Sequence, residues 1–241
     1  MKINGSVVLV TGASRGIGRA LVEKLLAAGA ARIYATARSP SQLEGLVAQD
    51  PARVIALRLD TTNPQDVAAI AKAARDVNVL VNNAGVLSSG SVLTASRASI
   101  DADFATNVFG MLEVTKAVLP SIERAGGGAV VNVLTVVSLS SMPALGGYCA
   151  SKAAAYSITQ ALRGELKPRG IAVYAVFPGP VDTDMSKQIT LAKTSPDVVA
   201  KAIVDGIERG DEDILPDPMA QQVFDQWSHN PKAVERMFGA M

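Results

Sequence analysis

The chain has 241 residues, 49% of them apolar and 19% charged, with a formal net charge of +1. That balance excludes a disordered chain, which combines low hydrophobicity with high net charge, and a protein that coats nucleic acid, which needs an excess of Lys and Arg. The lone Cys149 and lone His229 make neither an internal disulfide nor, by themselves, a zinc site, so no metal is expected and a reducing cytoplasm is the simplest setting.

At the amino end the apolar stretch SVVLV stops at Thr11-Gly12. It is far short of the ~20 apolar residues that a bilayer crossing needs, and it lacks an export cleavage site, so no membrane partner is expected. From there to about residue 180 strands and helices alternate. Val7–Val10 reads as a β-branched strand, and Arg19–Ala28 as a helix closed by Gly29. Arg32–Thr36 reads as strand, Ser41–Ala48 as a short helix, Val54–Leu59 as strand, and Gln65–Arg75 as a helix capped by Asn63 with Pro64 behind it. Val79–Val81 follows as strand, Ile100–Ile122 as one long helix, Ala129–Thr135 as strand, Ser151–Lys167 as an alanine-rich helix, and Ile171–Phe177 as strand. Strands apolar on both faces and separated by helices belong in a parallel sheet covered on each side. The expected fold class is α/β, a single doubly wound Rossmann-type domain over residues 1–241 with about seven strands and the order 3-2-1-4-5-6.

The first strand-to-helix junction reads Thr11-Gly12-Ala13-Ser14-Arg15-Gly16-Ile17-Gly18. Three glycines there let the backbone turn sharply and approach a pyrophosphate at the positive end of a helix. A site for NAD usually closes the second strand with Asp or Glu on the ribose hydroxyls. This strand runs instead into Arg38, and Arg15 is expected nearby, so two cations point to the 2′-phosphate of NADP(H), with NAD(H) possible. Further on, Tyr148 and Lys152 stand four residues apart at a helix start, on one face. An unperturbed phenol has a pKa of about 10, and an adjacent ammonium is expected to lower it and fit the tyrosine for proton transfer.

In order and spacing, TGASRGIG (11–18), Leu59-Asp60, NNAG (82–85), Asn107, YCASK (148–152) and PGPVDT (178–183) resemble the short-chain dehydrogenase/reductase family, of the classical type, over roughly three quarters of the chain. The resemblance implies an oxidoreductase that reduces a ketone or aldehyde, reversibly, with NADPH. It places Gly12, Gly16, Ile17 and Gly18 at the pyrophosphate, Ser14 and Arg15 at the adenosine phosphates, and Arg38 at the 2′-phosphate. Asp60 with Thr61 would meet the adenine, and Asn83, Ala84 and Gly85 would floor the adenosine ribose. Pro178, Gly179, Val181 and Thr183 would line the nicotinamide end, the last two holding the carboxamide. Tyr148 would be the acid/base, Lys152 would hold the nicotinamide ribose, and Asn107 would tie a water into a proton relay. Where similar proteins carry a serine thirteen residues before the tyrosine, this chain has Thr135, which keeps the hydroxyl but adds a methyl; Ser138 is the alternative donor.

The family's substrate loop corresponds to about residues 185–197, short and polar here, which suggests an accessible pocket. Small apolar stretches at Val86–Gly90, Met142–Gly147 and Pro178–Pro180 suit a small hydrophobic carbonyl or alcohol substrate. The tail, 216–241, with Trp227, His229, Phe224 and Phe238, is expected to pack across the domain or onto a neighbouring subunit. Similar proteins pair the two long helices across a dimer axis, so a homodimer or homotetramer is implied. The rival readings are an NAD-dependent alcohol dehydrogenase of the same family and a non-catalytic nucleotide-sensing interaction protein.

Overall fold

The computed structural model describes residues 1–241. Seven parallel strands form one sheet in the order β3-β2-β1-β4-β5-β6-β7. They are β1 (Val7–Val10), β2 (Arg32–Ala37), β3 (Val54–Arg58), β4 (Val79–Asn82), β5 (Gly128–Val133), β6 (Ile171–Val176) and the two-residue β7 (Asp213–Ile214). The order on either side of β1 and β4 runs outward in opposite directions, so the crevice beyond their carboxyl ends is where ligands gather in such sheets.

Both faces of the sheet are buried because each strand is apolar at consecutive positions. Val8, Val10, Ile33, Ala35, Val79, Val81 and Val131 point to one side, under α1 (Gly16–Ala27) and α7 (Pro196–Arg209). Leu9, Tyr34, Leu80, Val130 and Val173 point to the other, under α3 (Pro64–Ala73), α5 (Met111–Arg124) and α6 (Gly146–Leu166). The register pairs Val8 with Val79 and Asn82 with Asn132. At the second pair the core turns polar: Asn82 Nδ2 donates to Asn132 Oδ1 (2.9 Å) and to Thr115 Oγ1 (3.0 Å), and Asn132 Nδ2 donates to Thr159 Oγ1 (2.9 Å). These bonds tie α5 and α6 to the centre of the sheet.

Several expectations shift. The helix expected over 100–122 is two, α4 (Arg97–Phe104) and α5, joined by a wider π turn over Ala105–Gly110. That widening is common at functional positions, and nothing in the apolar spacing marks it. The helix expected from Ser151 begins at Gly146, two residues before Tyr148, and α1 begins at Gly16 rather than Arg19. After residue 195 come α7 and β7, and the tail itself forms α8 (Pro218–His229) and α9 (Pro231–Gly239); the caps Ser195, Asp217 and Asn230 open the three helices. Asn63 caps α3 as its sequence position suggests, accepting from the Gln65 and Asp66 N–H groups. No helix is long and apolar enough to cross a membrane.

Candidate active site

The glycine turn is held against the end of β4 by side chain–backbone hydrogen bonds. Asn83 Nδ2 donates to the carbonyls of Thr11 (2.9 Å) and Gly12 (3.0 Å), while Thr11 Oγ1 accepts from the Asn83 and Ala84 N–H groups at 2.9 Å. A Cβ at Gly18 would lie 2.3 Å from the Gly12 carbonyl oxygen, and Gly12 itself has φ +67° with Ala84 Cα 3.0 Å from where its Cβ would be. Only glycine permits this approach. Gly16, at φ +54°, abuts the Thr183 methyl in the same way (3.0 Å). Ser14 and Ile17 are half-buried on the turn. Helix α1 starts with no side-chain cap and no acid in its first turn, so its N–H groups face the crevice free. That bare, positively polarised cradle fits a pyrophosphate.

The two arginines differ in their partners. Arg15 Nη1 pairs with Asp184 Oδ2 at 3.1 Å, which joins the glycine turn to the segment after Thr183. Arg38, exposed beyond the end of β2, makes no ion pair. Its charge reaches Asp60, whose carboxyl is held below the usual carboxylate range first by the Thr62 hydroxyl and N–H and then by Arg38 and Arg58. Thr61 is buried, and Gly110 leaves it room, since a Cβ there would stand 2.7 Å from Thr61 Oγ1.

On the other side of the crevice the π turn carries Asn107 inward. Its Oδ1 accepts from Val86 N and its Nδ2 donates to Val86 O, both at 3.0 Å; the Nδ2 also donates to Ser151 Oγ (2.9 Å), which donates to Tyr148 O (2.7 Å). Ser151 is a link the sequence reading missed, although its place between Tyr148 and Lys152 could have drawn attention. Lys152 Nζ donates to Val133 O (2.9 Å), and a Cβ on Gly85 would lie 3.6 Å from it and 3.1 Å from Asn107 Oδ1. Gly85, Asn107 and Lys152 thus converge.

Tyr148 is 7% exposed, and its hydroxyl bonds to no other group of the chain. Burial pushes its phenol well above the ordinary range, with Cys149 and Asp103 adding to the effect. Lys152 does not offset this, contrary to the expectation for the pair: burial draws its own ammonium down to about 8, and its proton is directed at a carbonyl of β5. Thr135 Oγ1 accepts from Val137 N (3.4 Å) and Ser138 Oγ from Thr135 N (3.3 Å), which leaves both hydroxyl hydrogens free to donate.

Around Tyr148 the walls are apolar and come from distant segments. Val136, Val137 and Cys149 pack with Ala220, Val223, Val234 and Phe238 of the tail, flanked by Leu87, Met142, Leu145, Met219, Trp227 and Met237. Helices α8 and α9 thus pack against the segment that follows β5 and the start of α6. Asp217, also unforeseen, clamps the tail: its carboxylate caps α8 through Ala220 N and accepts from Gly179 N, both at 2.8 Å, while Val136 N donates to Pro178 O (3.1 Å). Val181 is buried beside Thr183, and Ser186 Oγ donates to its carbonyl.

The family model described as short chain dehydrogenase matches residues 6–194. The chain belongs to the short chain dehydrogenase family. It is an oxidoreductase, and its sheet is the Rossmann-type sheet of that family. The 3-oxoacyl-acyl-carrier-protein reductase FabG of Vibrio cholerae is 34% identical over 193 residues, 78% of this chain and 79% of the relative. A short chain dehydrogenase from Burkholderia cenocepacia, solved in complex with NADP, superposes with a TM-score of 0.93 at 34% identity over 99% of each chain. One from Sphingobium yanoikuyae, in complex with NADPH, gives 0.83 at 29% identity, covering 95% of this chain and 94% of that one.

Proposed function

We propose that the protein is an NADP(H)-dependent carbonyl reductase that interconverts a small hydrophobic ketone or aldehyde and its alcohol. The observation that carries this reading is the setting of Tyr148, a phenol free of partners, enclosed by apolar side chains and backed by Lys152 and the Asn107–Ser151 chain. A substrate with apolar flanks and one carbonyl fits such walls, whereas a sugar or acid would leave polar groups buried without partners. NADP(H) is favoured over NAD(H) because Arg38, which makes no ion pair, stands where an NAD site usually places a carboxylate. The NADP and NADPH held by the two similar structures support the same choice.

A dinucleotide held at the glycine turn would supply or accept a hydride at nicotinamide C4. Gly12, Ser14, Gly16, Ile17 and Gly18 hold its pyrophosphate, Arg38 its 2′-phosphate, with Arg15 at the adenosine phosphates once exchanged from Asp184. Asp60 and Thr61 bound the adenine, Asn83, Ala84 and Gly85 floor the adenosine ribose, and Pro178, Gly179, Val181 and Thr183 line the nicotinamide end. Tyr148 gives its hydroxyl proton to the carbonyl oxygen as the carbonyl carbon is reduced. Thr135, with Ser138 next to it, would orient that oxygen, Lys152 would hold the nicotinamide ribose, and Asn107 would tie a water into a proton relay. Residues 1–241 act as one domain. Phe109, 59% exposed between α4 and α5, supports pairing of that face in a homodimer or homotetramer, and a cytoplasmic location goes with the free, reduced Cys149.

The test follows nicotinamide absorbance across ketones, aldehydes and 3-oxoacyl thioesters. NADPH should be consumed, Tyr148→Phe should lower kcat by about 10²–10⁴-fold with NADPH affinity nearly unchanged, and Arg38→Asp should reverse the preference towards NADH. Faster turnover with NADH that Arg38→Asp leaves untouched makes the enzyme NAD-dependent. If NADPH is consumed with none of these substrates, the chain is a nucleotide-sensing protein.

A further inference from the structure

Two acids are buried, and they differ. Asp217 is fully used, its carboxylate taken by two N–H groups. Asp103, on α4 four residues before Asn107, has no exposed surface; its Oδ1 accepts only from Ser88 N (3.1 Å), and its Oδ2 has no hydrogen-bond partner. That free oxygen lies 3.5 Å from where a Cβ on Gly147 would stand, at the head of α6. Helix α6 begins with neither a side-chain cap nor an acid in its first turn, although it carries Tyr148 and Lys152. A helix start of this kind carries about half a positive charge and favours an anion.

We infer that Asp103 is an electrostatic positioning residue for Tyr148 and Lys152, an anion set at the head of their helix that keeps both side chains protonated and pins the Ser88 wall of the pocket to α6. The inference rests on the reading of Tyr148 as the acid/base. Asp103 is a charged neighbour of both side chains, and the only other titratable group bearing on Tyr148 is Cys149. Burial raises the Asp103 carboxyl, while the Ser88 hydrogen bond and Lys152 hold it down. On its own helix, Asp101 and Arg97 pair with each other at the surface (2.7 Å), and the groups of the facing segments nearest to it, Ser88 and Gly147, are uncharged. An anion there opposes ionisation of the phenol and favours the ammonium, so Tyr148 is kept as a proton donor up to higher pH.

The test compares pH profiles of kcat/KM in both directions, using the ketone of the panel that is reduced fastest and its alcohol. Asp103→Asn keeps an acceptor for Ser88 N and removes the charge. It should move the alkaline limb of reduction and the acid limb of oxidation to lower pH by about one unit. Asp103→Ser should move them the same way, and Asp103→Glu, which keeps the charge, should leave them near the wild-type position. Limbs that coincide for wild type, Asp103→Asn and Asp103→Ser overturn the inference, whatever the variants do to Tm, since a merely structural role moves Tm alone. Tyr148→Phe is run beside them: if it is inactive while the limbs stay fixed, only the role of Asp103 is wrong, and if it stays active, the acid/base reading and this inference both fall.

Discussion

At the glycine turn the contacts that matter are close approaches of backbone, Gly18 against Gly12 and Gly12 against Ala84, and hydrogen bonds from the Asn83 side-chain amide to the Thr11 and Gly12 carbonyls. Around Tyr148 they run between apolar side chains of α6, the segment after β5, and the tail at the far end of the chain. The first region takes its form from backbone conformation, so it tolerates no added atom. The second takes its form from packing, and is sensitive to lost atoms and to buried charge. The same crevice is thus held by two kinds of constraint.

The largest effect should come from cutting into the packed side. Phe238, 3% exposed in α9, contributes to the walls around Tyr148; Phe238→Ala should cost about 3–5 kcal/mol in chemical denaturation and raise KM for the ketone, with NADPH affinity unchanged. If NADPH affinity falls equally, the two regions are one unit and the contrast fails. Next comes the electrostatic cost stored beside Tyr148. Lys152 sits at about 8 against an ordinary value of 10.5 because it is buried, so the unfolded chain binds more protons between those two pH values. Stability should therefore rise with pH across that window, with a penalty of about 3 kcal/mol fully present below it. Denaturation of Lys152→Met over the same range should show that slope gone. On the other side, Gly18→Ala forces a Cβ onto the Gly12 carbonyl and Asn83. Its stability cost should be about 1–3 kcal/mol, and calorimetry should find NADPH binding weakened at least roughly tenfold while the apolar enclosure stays intact, read as unchanged Trp227 fluorescence. Unaltered NADPH binding in Gly18→Ala would mean that the turn is a structural corner only.

The alternating strands and helices up to residue 180 were legible because their signals are local, β-branched runs and glycine stops that require no partner to be recognised. Six strands in the expected order, the glycine turn and the Asn63 cap all follow from such signals. The π turn at Asn107 was not legible, since its wider spacing leaves the apolar pattern of a continuous helix unchanged. The tail was legible only in part: its packing across the domain was expected, but nothing in its sequence marked α8 and α9 as the helices that meet Val136 and Tyr148. Nothing in the sequence marks Asp217 and Asp103 as buried, and both are.

By itself the sequence determined the sheet, the family and the residue types of the site, because glycine conformations, helix stops and strand hydrophobicity act over a few residues. Tertiary structure alone decided which charges are paired and which are dry. It set Arg15 on Asp184, left Arg38 free, turned the Lys152 ammonium to Val133 and closed the tail over Tyr148. Those outcomes depend on distance and on exclusion of water between segments far apart in the chain, and residue spacing encodes neither.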